Sequence, residues 1–243
     1  VTDLLWVIAG HDGKDGTSLP AEKYGYSSDK DISGMKIAVV KELYDAAKDE
    51  VKSVLDNYLN KIESSGAKIE TVSVPDVKAY ATAWQIMLSA ETCNNISRYD
   101  GVKFGYRTPT YKDIDELYVN SRTEGMGFTA KMNVLYGSDV LSKNQYLSCY
   151  DKSLRLRRVA SEKMKEIFAS FDAVIAPAMS SASVEEYDLA QTFERTKKEL
   201  LFTTVPNLIG IPAMVTGGVQ LWGAAFAEST LLSIAGAVER MAD

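Results

Sequence analysis

A chain of 243 residues with 46% hydrophobic and 25% charged side chains has the composition of a soluble globular protein able to bury a substantial core. Its net charge of −6 gives no cationic surface for phosphates, and its lysines and arginines are scattered rather than gathered into a strip, so autonomous nucleic-acid binding is not expected. It has no apolar run of about 18 residues to span a bilayer and no basic, secretory-type start, which together point to the cytoplasm.

The chain opens with VIAGHDGKDGTSLP, Val7 to Pro20, a turn-rich stretch. A short β-branched run, Gly34 to Val40, follows. Val51, Val54, Leu55, Tyr58, Leu59 and Ile62 then recur at helical spacing, with Gly66 as the stop. Lys68 to Val74 reads as a second strand before Pro75. Strand, amphipathic helix and strand make a βαβ unit, so the two strands are expected to be parallel. From Asp76 to Phe171 the chain reads as mostly helical, with a long helix from about Lys78 to Ser97, a polar loop from Arg98 to Thr110, and a last helix from about Leu141 to Ser170. Ala173 to Ala176 is a compact buried strand stopped by Pro177. Ala213 to Val215 and Val219 to Trp222 flank Thr216, Gly217 and Gly218 as a tight hairpin, and a helix begins near Glu228. With no internal repeat and no low-complexity linker, residues 1–243 are expected to form a single α/β domain, a mixed sheet covered by helices. The sheet is thin for so many helices, as if strands were missing.

Few residues offer chemistry of their own. Cys93 and Cys149 lack CxxC spacing and read as buried hydrophobes. His11 is the only histidine, so a zinc site or a Ser-His-Asp triad within this chain is not expected, and no cofactor is called for. The alternation of Asp and Gly in HDGKDG imitates a calcium loop, but the twelfth position counted from Asp12 is Lys23 where an EF-hand needs Glu. A Gly/Asp turn is the simpler reading. GMG at Gly125 to Gly127 reads as a helix break, and Ser64, Ser65 and Gly66 as a helix cap. RYDGVKFGYR, Arg98 to Arg107, is different: two tyrosines, a phenylalanine, three basic residues and two glycines exceed what a turn needs, although composition alone still fits a packed surface loop.

Those residues, with SRTEGMG (Ser121 to Gly127), FDAVIAP (Phe171 to Pro177), NLIGIPA (Asn207 to Ala213) and GVQLWG (Gly218 to Gly223), stand in an order and spacing that resembles the C-terminal half of the amidase-signature family. RYDGVKFGYR resembles its amidotransferase branch, the A subunits of glutamyl-tRNA(Gln) amidotransferase. The resemblance implies the C-terminal portion of an amidase-signature fold. It also implies an amide hydrolase or amidotransferase whose serine nucleophile, second serine and lysine base lie upstream. No GGSSGGS-like or DTGGS-like stretch occurs in this chain, so none of its residues is assigned a catalytic role. Activity then needs an N-terminal half or other amidotransferase subunits as partners, acting on a small-molecule amide. The alternative is a non-catalytic scaffold or partner-binding module derived from the family.

The same resemblance locates substrate-binding residues. Counted from SRTEGMG, the arginine that grips the substrate α-carboxylate in glutamine-using members falls on Asn133. An aromatic pocket position upstream of RYDG, normally Tyr, falls on Trp84, and the acidic residue for the amino group falls near Leu200, one past Glu199. Asparagine makes no salt bridge, so Trp84 and Asn133 are expected to line a pocket for some other amide. Between NLIGIPA and GVQLWG only Met214 to Gly217 stand where the family usually has a longer PCG-containing loop.

Overall fold

The computed structural model describes residues 1–182 and 189–241. They fall into two compact units: residues 1–78 with 159–243, and residues 79–158. The first unit holds a five-stranded sheet, β1 (Lys36–Val40), β2 (Lys68–Val72), β3 (Ala173–Pro177), β4 (Ala213–Thr216) and β5 (Val219–Trp222). Its order is β2-β1-β3-β5-β4. β1 runs parallel to β2 and β3, and β5 runs antiparallel to β3 and β4, so the sheet is mixed.

Two of the strand pairings, β1 with β2 and β4 with β5, have a local cause. Between β1 and β2, helices α2 (Lys41–Ala46) and α3 (Asp49–Ser64) provide the crossover that a parallel pair requires. α3 buries Val51, Leu55, Tyr58 and Ile62, one stripe at helical spacing, and Val54 beside it is 39% exposed. At its end Ser65 and Gly66 close the last turn, and Gly34 N–H bonds to the Gly66 carbonyl at 2.9 Å. The turn between β4 and β5 is Gly217-Gly218 with φ of 55° and 85°, the double positive φ of a primed hairpin turn. The core joins Ile37, Val39, Leu55, Ile62, Ile175, Leu221 and Ile234, among others. The last of these belongs to α9 (Glu228–Glu239).

Some elements differ from the sequence reading. α1 (Thr2–Ile8) precedes the Gly/Asp turn, and α8 (Leu189–Ile209) fills the stretch before the hairpin. α8 contains Pro206, whose missing N–H orphans the carbonyl four residues back, that of Phe202. Gln220 of β5 supplies the substitute. Its buried Nε2 donates to the Phe202 carbonyl and to the Pro177 carbonyl, both at 2.6 Å. Its Oε1 accepts the indole N–H of the fully buried Trp222 at 2.9 Å.

The second unit is helical. It contains most of α4 (Val77–Ile96), then α5 (Ile114–Gly125), α6 (Phe128–Val140), a π turn at Tyr146–Tyr150 and the first part of α7 (Asp151–Phe168). The expected helix from Leu141 to Ser170 is interrupted. The polar run Ser142-Lys-Asn-Gln145 forms turns instead, with Gln145 and Tyr146 N–H both on the Ser142 carbonyl. Among the described residues no helix is long and apolar enough to cross a membrane.

Replacing Gln220 with Leu strands two carbonyls and an indole N–H in the core. Urea denaturation should show a loss of about 2–4 kcal/mol. A second expectation concerns alkaline pH. Burial pushes the Tyr58 hydroxyl up to about 12, whereas an unfolded tyrosine ionises near pH 10. The folded state then keeps a proton that the unfolded state loses, so stability is full below pH 10 and falls as pH rises toward 12. Absorbance titration at 295 nm should show Tyr58 among the late-ionising tyrosines, and Tyr58→Phe should remove its step near pH 12 and the associated loss.

Candidate functional site

Two of the residues that the family resemblance singles out, Trp84 and Asn133, lie in the helical unit. Trp84 is half-buried on α4, and Asn133 is half-buried on α6. The two helices meet through polar contacts at these positions. Gln85, next to Trp84, donates from Nε2 to Asn133 Oδ1 at 3.2 Å, and the buried Ser89 hydroxyl donates to the same oxygen at 3.1 Å. Gln85 Nε2 also lies 3.3 Å from Ser89 Oγ. Gln85, Ser89 and Cys93 recur every four residues and so share one face of α4.

Gly137, one turn beyond Asn133, explains how the helices come so close. A Cβ at Gly137 would lie 2.1 Å from the Ser89 carbonyl oxygen and 2.4 Å from Cys93 Cβ. Only hydrogen fits there, and the contact fixes the register in which Asn133 meets Gln85 and Ser89. Sequence reasoning singled out Asn133 and Trp84 as candidates and passed over Gln85, Ser89 and Gly137, which pack around Asn133. Their signal was the four-residue spacing of small and polar side chains on an otherwise apolar helix.

A second feature of this unit is the RYDGVKFGYR loop, which is folded against α5. Asp100 Oδ1 accepts the N–H groups of Val102 at 2.8 Å and Lys103 at 3.0 Å, and these bonds, Lys103's first, hold its carboxyl below the usual carboxylate range. Gly101 has φ of 76°, and a Cβ there would lie 2.4 Å from Ser121 Oγ, so the turn needs glycine on both counts. The SRTEGMG stretch then secures the loop from outside. Ser121 Oγ accepts the Thr108 N–H at 3.0 Å, Arg122 donates to the carbonyl of Ser97 at 2.9 Å, and Glu124 accepts from the Tyr106 hydroxyl at 2.7 Å and the Thr108 hydroxyl at 3.1 Å. The bond to Glu124 raises the Tyr106 pKa above its ordinary value. GMG is the break between helices, with α5 ending at Gly125 and Gly127 capping α6. Loop and helix together border an open cleft of about 230 Å³ with Tyr99, Tyr106 and Met126 on its walls. Trp84 and Asn133 are not among the residues that border it.

In the sheet unit, Glu199 accepts the Ser180 N–H at 2.9 Å and also the Ser180 hydroxyl, which ties the segment after β3 to α8. Leu200 beside it is half-buried. His11 stays local, its Nδ1 2.9 Å from the Leu19 carbonyl oxygen, and Asp12 and Asp15 each accept the N–H two residues on, of Lys14 and Thr17. HDGKDG is therefore an ordinary Gly/Asp turn. Among the described residues no group of three His, Cys, Asp or Glu side chains is placed to hold a metal.

The Amidase family model matches residues 1–232. The chain belongs to the amidase family. It is similar to the A subunit of the glutamyl-tRNA(Gln) amidotransferase of Streptococcus mutans serotype c, with 36% identity over 255 residues, covering 99% of this chain and 52% of that protein. The corresponding protein of Neisseria meningitidis serogroup A is 33% identical over 253 residues, with the same coverage of each. Among solved structures, the A subunit from Thermotoga maritima superposes with a TM-score of 0.64 at 25% identity, over 98% of this chain and 50% of that one. A bacterial aryl acylamidase of the amidase-signature family superposes at 0.68 with 18% identity, over 95% of this chain and 48% of that one, and bears on the fold alone. The expected fold class is thus the observed one. The chain spans about half the length of the curated relatives it matches.

Gly137→Ala should force α4 and α6 apart and cost about 1–3 kcal/mol, the range for overpacked sites. Differential scanning calorimetry measures it. Ser89→Ala, which only deletes a hydroxyl, should cost less.

Proposed function

We propose that this chain is the C-terminal half of an amidase-signature amide hydrolase or of an amidotransferase A subunit, completed by an N-terminal half that carries a Ser-Ser-Lys site. The observation behind it is the match of 99% of the chain to only 52% of its Streptococcus mutans relative. A serine hydroxyl is a weak nucleophile at neutral pH. In this reading a neutral lysine, acting through a second serine, removes its proton as it attacks the amide carbonyl, and backbone N–H groups hold the oxyanion that forms. This half would contribute the substrate-facing wall.

Trp84 and Asn133 are our candidates for that wall. Gln85 and Ser89 both donate to Asn133 Oδ1, which leaves its Nδ2 as a neutral donor that bonds to none of the described residues. A neutral amide donor suits a carbonyl or an uncharged amide better than a carboxylate, which would want the fork of an arginine. We therefore read the substrate as a carboxamide other than free glutamine. Gln85 and Ser89 act as positioning residues, since they orient Asn133 without needing to touch the substrate.

The test joins this chain to the part of the Streptococcus mutans protein that it does not match and measures ammonia release from a panel of carboxamides. Hydrolysis of a simple amide with poor use of glutamine is the expected result. Asn133→Arg should raise kcat/KM for glutamine by roughly ten- to a hundredfold, the worth of one charge-assisted contact to a carboxylate. A folded hybrid with no hydrolysis of any amide would overturn the enzymatic reading and leave a non-catalytic scaffold in its place.

A further inference from the structure

The charge of the chain is unevenly divided, which its overall value conceals. Residues 79–158 carry eleven lysines and arginines against eight aspartates and glutamates, although the whole chain has a net charge of −6. Within that unit, cations collect around the cleft beside the RYDGVKFGYR loop. Tyr99, Tyr106, Ser121 and Ala130 border the cleft, and each has a cation as its chain neighbour: Arg98, Arg107, Arg122 and Lys131. Lys103 is a fifth, exposed in the turn that the Gly101 N–H closes on the Phe104 carbonyl. The first four donate to uncharged oxygens, of Asn95, Tyr111, Ser97 and Thr123, and none of the five pairs with a carboxylate among the described residues. The nearby carboxylates of Asp100 and Glu124 are taken by N–H and hydroxyl groups of the same loop. Positive charge is left at the rim.

The walls are aromatic and held from behind. A Cβ at Gly105 would lie 2.9 Å from Cδ1 of the Tyr99 ring, and one at Gly125 would lie 2.9 Å from Tyr106 Cβ, so each tyrosine is seated on a bare glycine. The bond to Glu124 fixes the Tyr106 ring at its far end. Even so, Tyr99 is 47% and Tyr106 50% exposed. Aromatic rings held in place and left open take a flat partner with little further loss of side-chain freedom. Aromatic walls also suit ammonium ligands, but the cationic rim repels them and selects a flat ring that carries negative charge.

We propose that this cleft binds a nucleotide unit, with the base stacked against Tyr99 and Tyr106 and the phosphate held at the rim by Lys103 and Arg107. The volume of about 230 Å³ lies below the roughly 300–1,000 Å³ of pockets for drug-sized ligands, which suits a single base. A free nucleotide and the exposed end of an RNA single strand both present this chemistry. The cleft stands apart from the proposed amide site, since neither Trp84 nor Asn133 borders it.

Isothermal titration of the full chain with AMP should give a Kd of about 1 mM or tighter, with adenosine and ribose 5-phosphate each at least about tenfold weaker, because each lacks one half of the contact. Raising KCl from about 0.05 to 0.5 M should weaken AMP several-fold and leave adenosine unchanged. Lys103→Gln should weaken AMP about threefold and flatten that salt dependence. Tyr99→Ala should weaken it about tenfold. A single-stranded adenylate tetranucleotide that binds at least about tenfold tighter than AMP assigns the site to a strand end, and equal binding assigns it to the free nucleotide. If neither AMP nor the tetranucleotide saturates the chain, the proposal is overturned. Binding that both variants leave unchanged places the ligand elsewhere and overturns it too, as does adenosine binding as tightly as AMP with no salt effect. Should Tyr99→Ala not fold, AMP-induced shifts of the Gly105 and Gly125 amide resonances in the wild-type chain decide, and their absence overturns the site.

Discussion

The carboxamide of Gln220 ties three elements of the sheet unit together, and their placement depends on it. Its nitrogen reaches the end of β3 at Pro177 and the middle of α8 at Phe202, while its oxygen takes the indole of Trp222. A proline inside a helix ordinarily leaves a carbonyl without a partner and bends the helix away. Here the orphaned carbonyl becomes an attachment point, so Pro206 serves to dock α8 on the sheet. Every polar atom of this buried amide has a partner, which is the condition under which a polar group in a core fixes one arrangement instead of weakening it.

How much of this was legible in the sequence follows from how local each signal is. β1, α3 and β2 were readable because a stripe at helical spacing lies between two β-branched runs, and Gly217-Gly218 announced its hairpin. α8 was not, because Thr203-Thr-Val-Pro206 resembles a loop and its rescue comes from a residue on another element. The break before α7 was hidden for the opposite reason. Leu141 and Tyr146 continue an apolar period, yet the polar residues between them turn back on the Ser142 carbonyl.

The candidate site shows the same division. Motif order nominated Asn133 and Trp84 as candidates, and the glycines of RYDGVKFGYR and SRTEGMG marked turns and a helix break that the structure contains. What gives Asn133 its orientation lies on α4, 44 and 48 residues earlier in the chain, and becomes visible only once the helices are packed. Gly137 is a case in point. In sequence it is a weak spot in a helix, whereas in the folded unit its bare Cα is what lets α6 lie against the Ser89 carbonyl.

The sheet order also bears on how the molecule assembles. β1 and β2 are joined by one short crossover, but β1 is also zipped to β3, where Lys36 and Asp172, 136 residues apart, exchange hydrogen bonds through main chain and side chain. The whole helical unit is threaded between these partners. The βαβ segment can close on local contacts alone, but its inner face stays open to water until the chain has passed through residues 79–158 and returned. Closing so long a loop is the slow step expected of a topology rich in distant contacts. The half-built sheet, with the β3 side of β1 still unpaired, is the species most exposed to wrong pairing along the way.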